Sequence, residues 1–265
     1  MEPVPVPSST DQPTPTEPVP TSTIPTPTAS PTVVPTGMPT MPPTTPGNSS
    51  IPYGQVLSNC TVPGTIAISF DDGPFDYTNE LLDILEKNGA KGTFFVNAMN
   101  FGSIQDYAAV MLRAFNGGHQ LGSHTYSHAD LSMLNRTGII TEMTKLENVL
   151  SPLINGYKPT YMRAPYFAYS DVVLKTMAEL QYHMLDANVD TKDYENATPQ
   201  GVPISFKNFQ TGLDAGGSIV LCHDVHQTTV QILMQQLLDE VKKRGLKAVT
   251  IGECLGDPQE NWYRK

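Results

Sequence analysis

Two adjacent carboxylates, Asp71 and Asp72, stand where an apolar run beginning at Thr65 gives way to Gly73-Pro74. Further on, His124-Thr125-Tyr126-Ser127-His128 carries two imidazoles four residues apart, and a second apolar run from Ile219 ends in His223-Asp224. These residue types suit metal-assisted hydrolysis. One carboxylate and two imidazoles hold a divalent ion and leave positions open for water and substrate. A second carboxylate takes a proton from water, and a separate imidazole returns one to the leaving group.

Each motif also has a plainer reading. Asp71 and Asp72 are expected to point to opposite sides of an extended chain, so that one binds metal and the other stays free as a base. Against this, Asp-Gly and Gly-Pro are ordinary turn signals. His124 and His128 can reach one ion from a helical turn or a compact loop, yet a lone pair of this kind is more commonly a surface feature. Thr125 and Ser127 are candidate hydrogen-bond partners behind the imidazoles. Arg163-Ala164-Pro165-Tyr166 offers a guanidinium to keep a carboxylate ionised and, at Tyr166, an N–H for a developing oxyanion; in isolation it is a surface Arg before a Pro loop. The run Asp190-Thr191-Lys192-Asp193-Tyr194 supplies two carboxylates, either of which could set the charge of His223. Asp224 receives no chemical role, and His119, His183 and His226 are expected to be packing or surface residues.

The elements that must position these groups alternate. Strands are predicted at Thr65–Phe70, Thr93–Val96, Gln120–Ser123, Tyr161–Arg163, Tyr182–Leu185, Ser218–Leu221 and Ala248–Ile251. Amphipathic helices are predicted over Thr78–Lys87, Asp106–Phe115, Thr137–Leu150, Asp171–Leu180 and Thr229–Arg244, with Gly89, Gly117 and Gly245 as stops. Seven strands alternating with helices predict a parallel sheet with right-handed crossovers. The polar candidates sit at the carboxyl ends of at least four strands, which favours a (β/α) barrel over an open sheet.

Composition limits the remaining possibilities. Residues 1–50 hold 15 of the 24 prolines and no Lys or Arg, and read as a disordered Pro/Thr/Ser-rich stalk. Residues 51–265 are enough for one sizeable core. Three of the 26 acidic residues lie in the stalk, leaving 23 acids against 16 bases, a net charge of −7. This argues against nucleic acid or an anionic membrane as partner. Cys60 precedes the first strand and Cys254 follows the last, so a bridge would tie the ends of the domain together in an oxidising compartment; the alternative is two unpaired thiols. Cys222, inside an apolar strand, is expected to be a lone buried thiol. Sequons at Asn48, Asn59, Asn135 and Asn196 add to the argument for secretion. No apolar run is long enough to cross a membrane.

In order along the chain, Ser69–Pro74, His124–His128, Arg163–Tyr166, Asp190–Tyr194 and Ile219–Asp224 resemble the five motifs of the polysaccharide deacetylase (NodB-homology) family, carbohydrate esterase family four, and in particular its fungal chitin deacetylases. The resemblance runs from about Gly64 to Gly256. It implies a distorted (β/α) barrel and removal of N-acetyl groups from chitin or chitooligosaccharides by a secreted or cell-wall-associated monomer. It further implies Asp71 as base, Arg163 as its orienting partner, and Asp72, His124 and His128 as ligands of zinc, with cobalt or another divalent ion as alternatives. His223 is implied as the acid tuned by Asp193, the Tyr166 amide as oxyanion donor, and Tyr194 with Leu221 as walls of the acetyl pocket. Three positions depart from the commonest pattern: Ser69 for Thr, Ala164 for Pro, and Tyr194 for Trp. The first two are expected to matter little, and the third bears on substrate preference. Acetylxylan or peptidoglycan are the alternative substrates within the resemblance. A catalytically dead carbohydrate-binding wall protein is the alternative outside it, disfavoured because no expected catalytic residue is missing.

Overall fold

Strand β2 (Thr65–Asp71) is the spine of the computed structural model, which describes residues Ile51–Lys265. The stalk expected over residues 1–50 and the sequon at Asn48 lie outside the described residues. Six of the seven residues of β2 are buried, as expected for a strand covered on both faces. It pairs in parallel with β3 (Thr93–Val96) and β9 (Ile219–His223), which sets Asp71 directly opposite both Phe95 and His223. From β3 the sheet continues through β4 (Gln120–Ser123) and β6 (Tyr161–Met162) to β7 (His183–Leu185). On the other side β9 pairs with β8 (Val189–Asp190). Only residues 186–188 separate β7 from β8, so one bent stretch of chain bonds to β6 on one side and β9 on the other. The parallel strands thereby curl into a half-barrel, consistent with the distorted barrel expected from the alternating pattern.

The sheet is more finely divided than the seven predicted strands. It has nine, because β1 (Val56–Leu57) adds to β7 and the short β8 adds to β9, while the strand predicted at Ala248–Ile251 appears as β10 (Lys247–Val249) beside the start of β2. A separate antiparallel pair joins β5 (Lys158–Pro159) to β11 (Tyr263–Arg264).

The predicted amphipathic stretches appear as α1 (Thr78–Lys87), α2 (Ala108–Asn116), α3 (Arg136–Leu150), α4 (Asp171–Glu179) and α6 (Met234–Lys243). Each buries its apolar stripe, as α1 does with Leu81, Leu82 and Leu85. After α2 the left-handed residue is Gly118, at φ 76°, one position beyond the predicted stop.

Three departures have local causes. Helix α5 (Val202–Asp214) occupies a stretch where no helix was expected. Asn208, Thr211 and Gly212 weaken its pattern, but Gly212 lies where any Cβ would run into the Val189 side chain, so the glycine permits close helix–strand packing. The run predicted as strand to Ile251 pairs only as far as Val249. There Thr250 accepts the Glu253 amide and starts the short α7 (Ile251–Cys254). The helix predicted from Thr229 begins instead with a wider π turn, Thr229–Leu233, before α6.

Cys60 and Cys254 form the disulfide, with Cα atoms 4.9 Å apart and a sequence separation of 194, and Cys222 is free and buried. No described helix is long and apolar enough to cross a membrane.

Candidate active site

The carboxyl ends of β2, β4 and β9 deliver Asp71, His124 and His223 to one face of the half-barrel, where barrels of this kind gather reacting groups. Together with Asp72, His128, Tyr166, Tyr194 and Leu221 they line a hollow of about 450 Å3. Arg163 and Asp193 stand behind its wall. All ten residues singled out from the sequence therefore meet here.

Asp71 ends β2, and Asp72 follows with φ 75°, in the left-handed region. The two carboxylates diverge because the chain turns there, not because of the strand pleat expected from the sequence. Asp72, His124 and His128 each offer one ligand atom, and these atoms lie within 4.8 Å of one another. Asp72 Oδ1 is 3.7 Å from His124 Nε2 and 3.1 Å from His128 Nε2. That oxygen is nevertheless buried and accepts no hydrogen bond. The far nitrogens are occupied: His124 Nδ1 donates to the Arg163 carbonyl at 2.8 Å, and His128 Nδ1 pairs with the Tyr166 hydroxyl at 3.1 Å. A carbonyl can only accept, so His124 carries its proton on Nδ1 and turns the Nε2 lone pair toward Asp72. An orphaned carboxylate oxygen facing two imidazoles fits a divalent cation.

Electrostatics agree with this fit. Burial pushes Asp72 up, but the contact with His128 and the surrounding imidazoles outweigh it and hold the carboxyl below its usual range. Burial pushes His124 down by more than Asp71 and Asp72 raise it. An ionised carboxylate and a neutral imidazole are the forms that bind metal.

The imidazole loop is shaped by Thr125 and His128, both at positive φ. Asn97 braces it: its side-chain amide donates to the carbonyls of His124 and Thr125. Ser127 donates from its amide and hydroxyl to Glu142, at 2.9 and 3.1 Å. Neither Thr125 nor Ser127 reaches an imidazole, contrary to the sequence expectation, and Thr125 Oγ1 is buried without a partner. The supporting groups come from Arg163 and Tyr166 instead. Asn97 was missed; its only sequence signal is an amide placed directly after a buried strand.

Arg163 is fully buried, which excludes the surface reading of its motif. Its Nη1 donates to Asp71 Oδ1 at 2.7 Å and to Ser69 Oγ at 2.8 Å, and the guanidinium lies over the Phe95 ring at 4.4 Å. Nε and Nη2 reach the carbonyls of Leu185 and Asp186. With Oδ1 held, Asp71 Oδ2 faces the hollow, 3.8 Å from His124 Nε2.

His223 Nδ1 lies 2.8 Å from Asp193 Oδ1, while Asp193 Oδ2 accepts the His223 amide at 2.7 Å and the Thr229 hydroxyl at 2.8 Å. Burial alone would lower His223, but the Asp193 hydrogen bond and the charges of Asp193, Asp71 and Asp72 push it up to about 9. Of the two carboxylates left open by the sequence, Asp193 is thus the partner. Asp190 accepts from the Lys192 amide and the Tyr194 hydroxyl. The Tyr194 ring stands 5.2 Å from His223. Thr229, also missed, reaches Asp193 from the π turn.

A profile described as Polysaccharide deacetylase matches residues 58–185. A chitin deacetylase of Arthroderma benhamiae is 72% identical over 219 residues, covering 83% of this chain and 59% of its own length. The solved chitin deacetylase of Colletotrichum lindemuthianum matches with a TM-score of 0.78 and 43% identity, over 81% of this chain and 97% of that one. The chain belongs to the polysaccharide deacetylase family. A further A. benhamiae relative, described as a probable peptidoglycan-N-acetylglucosamine deacetylase, is 70% identical over 214 residues, covering 81% of this chain and 49% of its own length. This polysaccharide deacetylase therefore spans about half to three-fifths of the length of the two A. benhamiae proteins.

Two further residues shape the site of this polysaccharide deacetylase. Asp224, given no role from the sequence, is fully buried, accepts the Thr78 hydroxyl at 2.5 Å, and is pushed by burial to about 7. Its carboxylate fills the space where a Cβ at Gly73 would stand, which explains the glycine after the two aspartates. Ser69 touches Arg163, so the departure from Thr lies nearer the chemistry than the sequence suggested.

Proposed function

We propose that residues 51–265 form the catalytic domain of a secreted hydrolase that removes N-acetyl groups from chitin or chitooligosaccharides, releasing acetate and leaving glucosamine units. The observation that carries this reading is the convergence of a three-ligand cation site with Asp71 and His223 in one hollow of about 450 Å3. Asp72, His124 and His128 would hold a divalent ion, zinc by the borderline softness of two imidazoles and a carboxylate. When bound, that ion would supply Lewis-acid polarisation of the acetamide carbonyl and acidify the attacking water.

The chain's own residues do the rest. Arg163 holds Asp71 Oδ1 and aims the carboxylate, and Asp71 takes the proton of the attacking water. The Tyr166 amide donates to the oxygen that becomes negative as the carbonyl carbon turns tetrahedral. His223, charged through its contact with Asp193, then protonates the nitrogen as the C–N bond breaks. The sugar leaves as an amine and the acetyl group as acetate. Leu221 and Tyr194 wall the space for the acetyl methyl. Secretion is supported by the disulfide and by the exposed sequons at Asn59 and Asn135.

The name of one relative favours a second reading, N-acetylglucosamine units of peptidoglycan as substrate; acetylxylan is a third. Acetate release from chitin oligomers, peptidoglycan and acetylxylan, each with chelator and with zinc restored, separates the three. Asp71→Asn is expected to abolish release while retaining zinc; undiminished turnover refutes the assigned base.

A further inference from the structure

No residue of helix α3 lines the catalytic hollow, yet the helix holds the loop that carries the two imidazoles. Glu142 makes the connection. The Ser127 amide donates to Glu142 Oε2 at 2.9 Å and the Ser127 hydroxyl to Oε1 at 3.1 Å, so both carboxylate oxygens are spent on one loop residue. Two bonds to one carboxylate fix direction as well as distance. Three residues on, Lys145 Nζ lies 5.4 Å from the centre of the Tyr126 ring, so α3 grips two consecutive residues of the loop.

The two imidazoles depend on that grip unequally. His124 is buried, its Nδ1 donates to the Arg163 carbonyl, and Asn97 holds its own carbonyl. From the β3 side, Asn97 also holds the Thr125 carbonyl, and the Ala98 and Met99 amides donate to that of Tyr126. Among the described residues that series ends at Tyr126, and the hold on the next residue, Ser127, passes to α3.

His128 follows directly, at φ 58°, a left-handed conformation that an ordinary residue keeps only when its surroundings impose it. Its Nδ1 meets the Tyr166 hydroxyl, and Tyr166 is itself 69% exposed. An open side chain is a loose anchor. The position of the Ser127 backbone therefore governs where the His128 ring starts, and with it the 3.1 Å approach of Nε2 to Asp72 Oδ1.

We propose that Glu142 is a positioning residue for the cation: clamped to Ser127, it holds His128 where its Nε2 shares an ion with Asp72 and His124. The proposal rests on the cation-site reading above. Three variants test it. Glu142→Ala removes the clamp. Glu142→Gln restores it, because an amide of the same length accepts the Ser127 amide through its oxygen and donates to the Ser127 hydroxyl through its nitrogen. Asn135→Ala uncaps the same helix without touching the loop and serves as control. The readouts are zinc affinity by chelator competition and the visible absorption of the cobalt-loaded protein, with melting curves alongside. Glu142→Ala is expected to weaken zinc binding by about tenfold, the lower end for groups behind metal ligands, and to shift the cobalt bands. Glu142→Gln and Asn135→Ala are expected to bind zinc as wild type does. Equal affinity of Glu142→Ala and wild type overturns the proposal, as does a loss in Asn135→Ala as large as that in Glu142→Ala. A wild type that binds neither zinc nor cobalt refutes the cation site itself, and the proposal with it.

Discussion

His223 owes its charge to Asp193, and that dependence is measurable. With the contact in place the imidazole titrates at about 9, so an acid role persists past neutrality and the alkaline limb of kcat/KM is expected near that pH. In Asp193→Asn the attraction is gone while burial remains. The limb is expected to fall by about two pH units or more, toward or below the ordinary imidazole value near 6.5. The sign for stability follows. Because folding raises this pKa, the pair stabilises the protein fully below about 6.5, and the contribution fades as pH rises through about 9. Melting curves at neutral and alkaline pH, compared between wild type and variant, check it. Tyr166 makes a separate prediction. Its hydroxyl is the partner of His128 Nδ1, so Tyr166→Phe is expected to weaken zinc binding by about 10–100-fold in chelator competition while the fold stays intact. The titrating residues were legible because carboxylates and imidazoles at strand ends are chemically conspicuous. Asn97 and Thr229 were not, since a neutral amide or hydroxyl looks the same in any loop until its partner is known.

Strands and helices were legible where burial is one-sided or complete. β2, β3 and β4 lie almost where their apolar runs predicted, and α1 lies on its predicted residues. What escaped was decided by contacts from elsewhere in the chain. The helical pattern of α5 is interrupted by a glycine that only Val189 explains, and the strand predicted to Ile251 is cut short by a Thr250 cap. Backbone handedness escaped as well: Asp72, Thr125, His128, Tyr166 and Phe167 all hold positive φ around one hollow. Strain of this kind collects at functional sites and is sustained by the surrounding structure. At the same scale, Asn135 caps α3 by accepting the Gly138 amide at 2.9 Å. Asn135→Ala is expected to cost about 1 kcal/mol and lower the melting temperature by roughly 2–4 °C, with acetate release at room temperature unaffected.

At the scale of the whole molecule, Cys60–Cys254 ties the two ends of the described domain together across a sequence separation of 194. Chain entropy assigns such a long loop about 5 kcal/mol, so Cys60→Ser with Cys254→Ser is expected to lower the denaturation midpoint markedly, as is reductant on the wild type. The barrel-like curl was legible in the polar residues at strand ends, but the bend after Leu185 that shapes it was not, because no periodicity marks it. That bend makes residues 183–190 a seam. One end of it lends the Leu185 and Asp186 carbonyls to Arg163, which aims the base, and the other runs on to Asp193, which charges the acid. A protease nick at the seam would slacken both supports together, the guanidinium behind the base and the carboxylate behind the acid, while Asp71 and His223 stay opposite each other on the ladder of β2 and β9.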